Sequence, residues 1–139
     1  GGGPTIWICR HGDRYVPTWG REVARLLSDA ALPKGLAQDL PLSAAGHRQA
    51  AQLGAFLEKQ GVGTIVSSPY LRTLQTALPA AWATGARIRI EPALCEGPGH
   101  RAGWLPPLVE RQRYLVNLDL DHVPELGDEP DGEAAEAAV

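Results

Sequence analysis

Apolar residues fall in short runs along this chain, and each run gives way abruptly to polar ones. Thr5 to Cys9, with Ile6-Trp7-Ile8 at its centre, predicts a strand buried on both faces, as interior strands of a parallel sheet are. Glu22 to Ala31 places Val23, Leu26 and Leu27 on one face of a short helix, which Leu32-Pro33-Lys34-Gly35 ends. Ser43 is a good N-cap for a helix from Ala44 to about Gln60, with Ala50, Leu53, Leu57 and the nearby Phe56 as its apolar stripe. Gly61 fits the position just past its end.

Thr64-Ile65-Val66 predicts a second strand, and Ser68 with Pro69 predicts a helix start straight after it. Arg87 to Ile90 alternates polar and apolar, as a strand with one wet face does. Gly97 to Pro107 is a Gly- and Pro-rich loop, and Leu108 to Leu115 predicts a short helix. Asp119 to Pro130 is acidic and irregular. Asp131 to Val139 opens a further helix, with acidic residues in its first turn, and no fourth strand follows.

The chemistry gathers where strands end. Arg10-His11-Gly12-Asp13-Arg14 follows the first apolar run, and ligands of open α/β sheets bind outside the carboxyl ends of strands. A histidine there is a candidate nucleophile, and Arg10 and Arg14 can hold an anion through fork-shaped donors. Arg72 lies one turn into the helix after the second strand. Helical side chains lean back toward the N-terminus, where free N–H groups and the helix dipole favour an anion. A solvated surface arginine is the competing reading of Arg72. Glu96 lies past the third strand and is a candidate general acid, or an ordinary loop charge. Residues 15–41 form a long connection after the candidate site, which either shapes substrate access or merely decorates the surface.

Composition narrows the field. The 139 residues suit one domain with a single core, and a hydrophobic share of 44% is ordinary for a globular chain. A net charge of -3 argues against a general nucleic-acid or membrane-surface binder, so a positive site must be local. Cys9 and Cys95 are the only cysteines. Without framework spacing they read as free thiols in a reducing compartment, which places the protein in the cytoplasm, although a single disulfide between them stays open. No apolar run is long enough for a membrane span.

Together these motifs resemble the histidine phosphatase, or phosphoglycerate-mutase-like, superfamily: Arg10-His11-Gly12, then Ser67-Ser68-Pro69 with Arg72 and Gln75-Thr76-Ala77, then a glutamate after the third strand. Cys9 to Arg14, Pro41-Leu42-Ser43 with Gly46 and Gln49-Ala50, Arg87 to Glu96 and Trp104-Leu105-Pro106-Pro107 are similar to the phosphatase domain of the TULA group, suppressors of T-cell receptor signalling. The resemblance implies a three-layer α/β/α phosphoglycerate-mutase-like fold with a mainly parallel sheet. It implies that His11 takes the phosphoryl group, that Arg10, Arg14 and Arg72 grip the phosphate, and that Glu96 serves proton transfer. It implies a phosphate-ester substrate, a protein phosphotyrosine or a small ester, with no metal and no organic cofactor. It leaves a homodimer open.

The family carries a second histidine on a later strand, in a motif resembling His-Ala or His-Gly, and no such motif is found here. His47 reads as a surface residue of its helix, and His100 and His122 lie in loops that match no family motif. Residues 1–139 are therefore expected to be the N-terminal part of such a domain, with the sheet incomplete at the C-terminal side. The principal rival is a phospho-ligand binder or scaffold of the same fold, with the arginine pocket but incomplete chemistry. A mutase would need a larger insertion over the substrate. A cysteine phosphatase needs five residues between its cysteine and arginine, but only four separate Cys9 from Arg14. A zinc site built from Cys9, His11, Cys95 and His100 lacks the spacing of known ligand sets.

Overall fold

In a computed structural model, the structure describes residues 3–15, 39–97, 105, 119 and 121–122. The expected helices at Glu22–Ala31, Leu108–Leu115 and Asp131–Val139, and His100, lie outside them. Helix α1 spans Ala44–Lys59, strand β1 Ile65–Ser67, helix α2 Leu71–Thr84 and strand β2 Ile88–Ile90; a 3₁₀ turn, Pro92–Leu94, follows. The strands run parallel, with Ile65 opposite Ile88 and Ser67 opposite Ile90. A parallel pair needs a crossover, and α2 is that crossover. Both strands therefore deliver their carboxyl ends to the same side.

Helix α1 begins as its sequence predicts. The Ser43 hydroxyl accepts from the Gly46 N–H at 3.1 Å, and Gly61 just past its end takes φ +70°, the left-handed conformation that glycine adopts without strain. The buried stripe differs from the expected one. Gly46, Ala50, Gly54 and Leu57 are buried, whereas Phe56 is exposed. Small residues form the stripe because the helices approach closely: a Cβ on Gly54 would stand 2.9 Å from the backbone of Pro79 and Ala80 in α2. The opposite demand shapes the other face of α2, where Leu71, Leu74 and Ala81 pack on Ile88 and Ile90 to form the core. Arg89 between them is exposed, as an edge strand with one wet face requires.

Two expectations are corrected. Thr5–Cys9 forms no strand: Ile6 and Ile8 are 81% and 94% exposed, and only Trp7 packs, edge-on to Phe56 at 5.1 Å. An apolar run becomes a strand only where a neighbour completes its backbone ladder, and no neighbour does so among the described residues. Helix α2 starts at Leu71 rather than at Pro69, with Tyr70 in the cap position and no cap bond from its own side chain. The Ser68 hydroxyl is engaged with the Thr73 hydroxyl at 2.8 Å. The Leu71 N–H instead donates to the carboxylate of Asp39 at 2.7 Å. Asp39 is fully buried and caps the helix across 32 positions of sequence, where a negative charge suits the helix dipole.

Candidate active site

The loop that holds His11 is pinned from both helices. Its Gly12 N–H donates to the Thr76 hydroxyl of α2 at 3.0 Å. The Asp13 N–H donates to Gln49 Oε1 of α1 at 2.7 Å. Ser43, beyond capping α1, donates its hydroxyl to Asp13 Oδ2 at 2.5 Å and its N–H to the Asp13 carbonyl at 2.9 Å. Arg14 and Leu42 form an antiparallel bridge, and the Leu42 N–H is taken by Gln75 Oε1 at 2.8 Å. With a single β-bridge of its own, the loop acquires its fixed position from long-range backbone and side-chain partners.

His11 is half-buried, with Nδ1 2.7 Å from the Gly12 carbonyl oxygen. A carbonyl only accepts, so this contact requires the proton on Nδ1. In the neutral ring that leaves the lone pair on Nε2, the atom then free to attack an electrophile. Arg10 and Arg14 are exposed on either side.

Arg72 is not a solvated surface residue. It is the second residue of α2, buried at the carboxyl end of β1. Its guanidinium carbon stands 4.2 Å from the centroid of the Tyr70 ring, a cation–π arrangement. One terminal nitrogen lies 3.4 Å from Glu96 Oε1, while Nε is buried without a partner among the described residues. A guanidinium with five donors so sparsely used is suited to an incoming anion. The Glu96 carboxylate, by contrast, is 84% exposed. Its backbone is held, because the Tyr70 hydroxyl donates to the Glu96 carbonyl at 2.8 Å.

Two groups therefore emerge. Arg72 and Glu96 touch directly, each reached from the carboxyl end of one of two parallel strands. The backbone next to His11 is tied to that of Arg72 by a short relay: Gly12 N–H to the Thr76 hydroxyl, which donates in turn to the Arg72 carbonyl at 2.7 Å. Arg10 and Arg14 share the loop of His11 but make no ion pair with Glu96. Sequence reasoning missed Tyr70 and Asp39 and gave no structural role to Thr76. Gln75-Thr76 recurred in the motif that the sequence offered, but spacing alone does not reveal what a hydroxyl bonds. His122 was read as a loop residue without a role. Its ring meets the Glu91 carboxylate, and the nearby Asp119 N–H donates to the Ile88 carbonyl at 2.9 Å, which docks this segment along β2.

Among the described residues, no group of His, Cys, Asp and Glu could hold a metal ion, and no helix is long and apolar enough to cross a membrane. Cys9 and Cys95 are not joined in a disulfide. No curated protein matches the sequence significantly. One solved structure that the chain resembles is the ecdysone phosphate phosphatase from Bombix mori in complex with tungstate, with 24% identity and a TM-score of 0.60 over 90% of this chain. The chain spans 59% of that protein's length, and at this identity the likeness establishes the phosphoglycerate-mutase-like α/β fold. A mycobacterial hydrolase shares 26% identity over 62% of this chain and 35% of its own, with a TM-score of 0.45. The profile of the histidine phosphatase superfamily (branch 1) matches residues 6–138.

Proposed function

Because the chain belongs to the histidine phosphatase superfamily, branch 1, we propose that the full-length protein is a phosphomonoesterase that works through a phosphohistidine at His11. In this reading Nε2 of His11 attacks phosphorus in line with the departing ester oxygen. The P–O bond breaks as the P–N bond forms, and Glu96 delivers a proton to the leaving oxygen. Arg10, Arg14 and Arg72 spread over the equatorial oxygens and stabilise the charge that develops there. Water then cleaves the P–N bond, releasing phosphate, with Glu96 now able to take the water's proton. The observation that carries the reading is Arg72: a buried guanidinium with an unused Nε, in contact with a carboxylate, at the carboxyl ends of two parallel strands.

Within the superfamily, the runs Cys9 to Arg14 and Arg87 to Glu96 support a likeness to the TULA-type phosphatase domain. The substrates proposed are protein phosphotyrosine or small phosphate esters, and the proposed location is the cytoplasm, where cysteines such as Cys9 and Cys95 stay reduced. The test is direct. Full-length protein mixed with p-nitrophenyl phosphate and quenched rapidly is expected to carry an acid-labile phosphoryl group at His11, and His11→Ala to abolish both label and turnover. Turnover that survives His11→Ala sinks the phosphohistidine mechanism. Tungstate binding without turnover in the wild-type protein selects the scaffold reading instead.

A further inference from the structure

We propose that Tyr70 is a positioning residue that couples the phosphate grip to proton delivery. This inference rests on the roles given above to Arg72 and Glu96. Tyr70 immediately precedes α2, and it is almost wholly buried. Its two ends serve two different partners. The ring face supports the Arg72 guanidinium, 4.2 Å from the centroid. The hydroxyl donates to the Glu96 carbonyl at 2.8 Å, across 26 positions of sequence.

The need for such a residue follows from what the other contacts leave undone. Glu96 lies just past the 3₁₀ turn, its side chain is largely in solvent, and its Arg72 contact is long at 3.4 Å. An exposed ion pair of that length holds a carboxylate weakly. A hydrogen bond from a buried phenol to the backbone of the same residue fixes where the carboxylate starts from. Arg72, for its part, has a buried Nε with no partner among the described residues, so the flat ring beneath it is what keeps the fork facing the anion site. One rigid side chain with two rotatable bonds thereby sets the distance between the group that binds phosphate and the group that protonates the leaving oxygen.

The two functions separate experimentally in the full-length protein. Tyr70→Phe removes one oxygen and keeps the ring. It is expected to lower kcat/KM on phenyl phosphate about tenfold, because a poor leaving group needs its proton, while kcat/KM on p-nitrophenyl phosphate changes less than about threefold. Tungstate affinity should stay the same. Tyr70→Leu removes the ring as well, and tungstate affinity should fall about fivefold to tenfold. Equal losses on both substrates in Tyr70→Phe, or no loss on either, overturn the coupling to Glu96. Unchanged tungstate affinity in Tyr70→Leu overturns the coupling to Arg72.

Glu96→Gln distinguishes failure of the proposal from failure of its premise. If Glu96→Gln shows the leaving-group dependence and Tyr70→Phe does not, Tyr70 alone loses its role. If Glu96→Gln lacks the dependence, Glu96 is not the proton donor and both readings fall. Should Tyr70→Leu not fold, as a circular dichroism melt would show, Tyr70→Phe decides the coupling to Glu96 and Tyr70→Met takes the place of Tyr70→Leu for the coupling to Arg72. A wild-type protein that neither turns over nor binds tungstate overturns the whole scheme.

Discussion

Gly12 and Gly46 stand so close that neither position has room for a side chain. A Cβ on Gly12 would lie 2.8 Å from the Gly46 carbonyl oxygen, and a Cβ on Gly46 would lie 2.1 Å from the carbonyl oxygen of Asp13. The first turn of α1 and the loop carrying His11 thus meet backbone to backbone. Glycine is needed here for proximity, since neither residue has a positive φ. The contact is what allows Ser43 and Gln49 to reach the Asp13 backbone.

Gly46→Ala should therefore act on both stability and function. The obstacle is backbone, which no change of rotamer relieves, so the loop has to move. Overpacking of this kind costs about 1–3 kcal/mol, and a fall of several degrees in Tm is expected by circular dichroism. The displaced loop carries His11, so kcat on p-nitrophenyl phosphate should fall about tenfold or more even at temperatures where the variant is folded. A variant with wild-type Tm and kcat would mean that the loop does not rest on α1.

Thr76 offers a cleaner test of how the loop is held. Its hydroxyl accepts from Gly12 and donates to the Arg72 carbonyl, and the residue is buried. Thr76→Val keeps the shape and strands the Gly12 N–H, at a cost of about 1–3 kcal/mol. Thr76→Ser retains both bonds. Urea denaturation should place Thr76→Val well below wild type, with Thr76→Ser much nearer to it, and phosphatase activity should follow the same order. A loss confined to Thr76→Ser, with Thr76→Val as stable and active as wild type, would assign the role of Thr76 to its methyl packing instead.

Gly54 separates architecture from chemistry. Its Cα lies against Pro79 and Ala80 at the crossing of α1 and α2, one turn beyond Thr76 on α2 and five residues beyond Gln49 on α1, and it makes no contact with the His11 loop itself. Gly54→Ala should lower stability by about 1–3 kcal/mol through the forced separation of the helices. Activity per folded molecule should stay within about twofold of wild type. A large loss of kcat with unchanged Tm would show that the crossing is coupled to the site.

How much of this was legible beforehand depends on the range of each interaction. Ser43 as a cap, Gly61 past the end of α1, and the wet face of β2 are local facts, written in spacing and in single-residue conformational preference. Ala50 and Leu57 were legible in the stripe of α1, but Gly46 and Gly54 were not, because hydrophobic periodicity scores side chains whereas a close helix crossing selects their absence. The start of α2 was misplaced for a related reason. Ser68-Pro69 is a good local start signal, but a buried carboxylate from Asp39 satisfies the helix two residues later. The apolar run Ile6-Trp7-Ile8 misled in the opposite direction, since its pattern fits a strand but the ladder depends on neighbours. Arg72 was foreseen at a strand–helix junction from side-chain direction, whereas the ring beneath it required the folded chain.

Arg72→Lys tests whether the pocket works by geometry or merely by charge. Lysine keeps the positive charge but replaces a planar fork with a single ammonium, so it can neither stack on Tyr70 in the same way nor bind two phosphate oxygens side by side. It also loses the contact of a terminal guanidinium nitrogen with Glu96, at 3.4 Å in the native arrangement. If the fork grips the equatorial oxygens of the transferring phosphoryl group, kcat/KM should fall roughly a hundredfold or more, in keeping with the large effects of arginines at phosphoryl-transfer sites. Tungstate affinity should fall with it, because the anion presents the same oxygens. Arg72→Ala should be worse again, since the buried position then supplies no cation at all. Steady-state kinetics and calorimetric titration with tungstate provide the comparison. An Arg72→Lys protein with wild-type kcat/KM would show that a point charge suffices, and the structural argument for a bidentate grip at this junction would then fail.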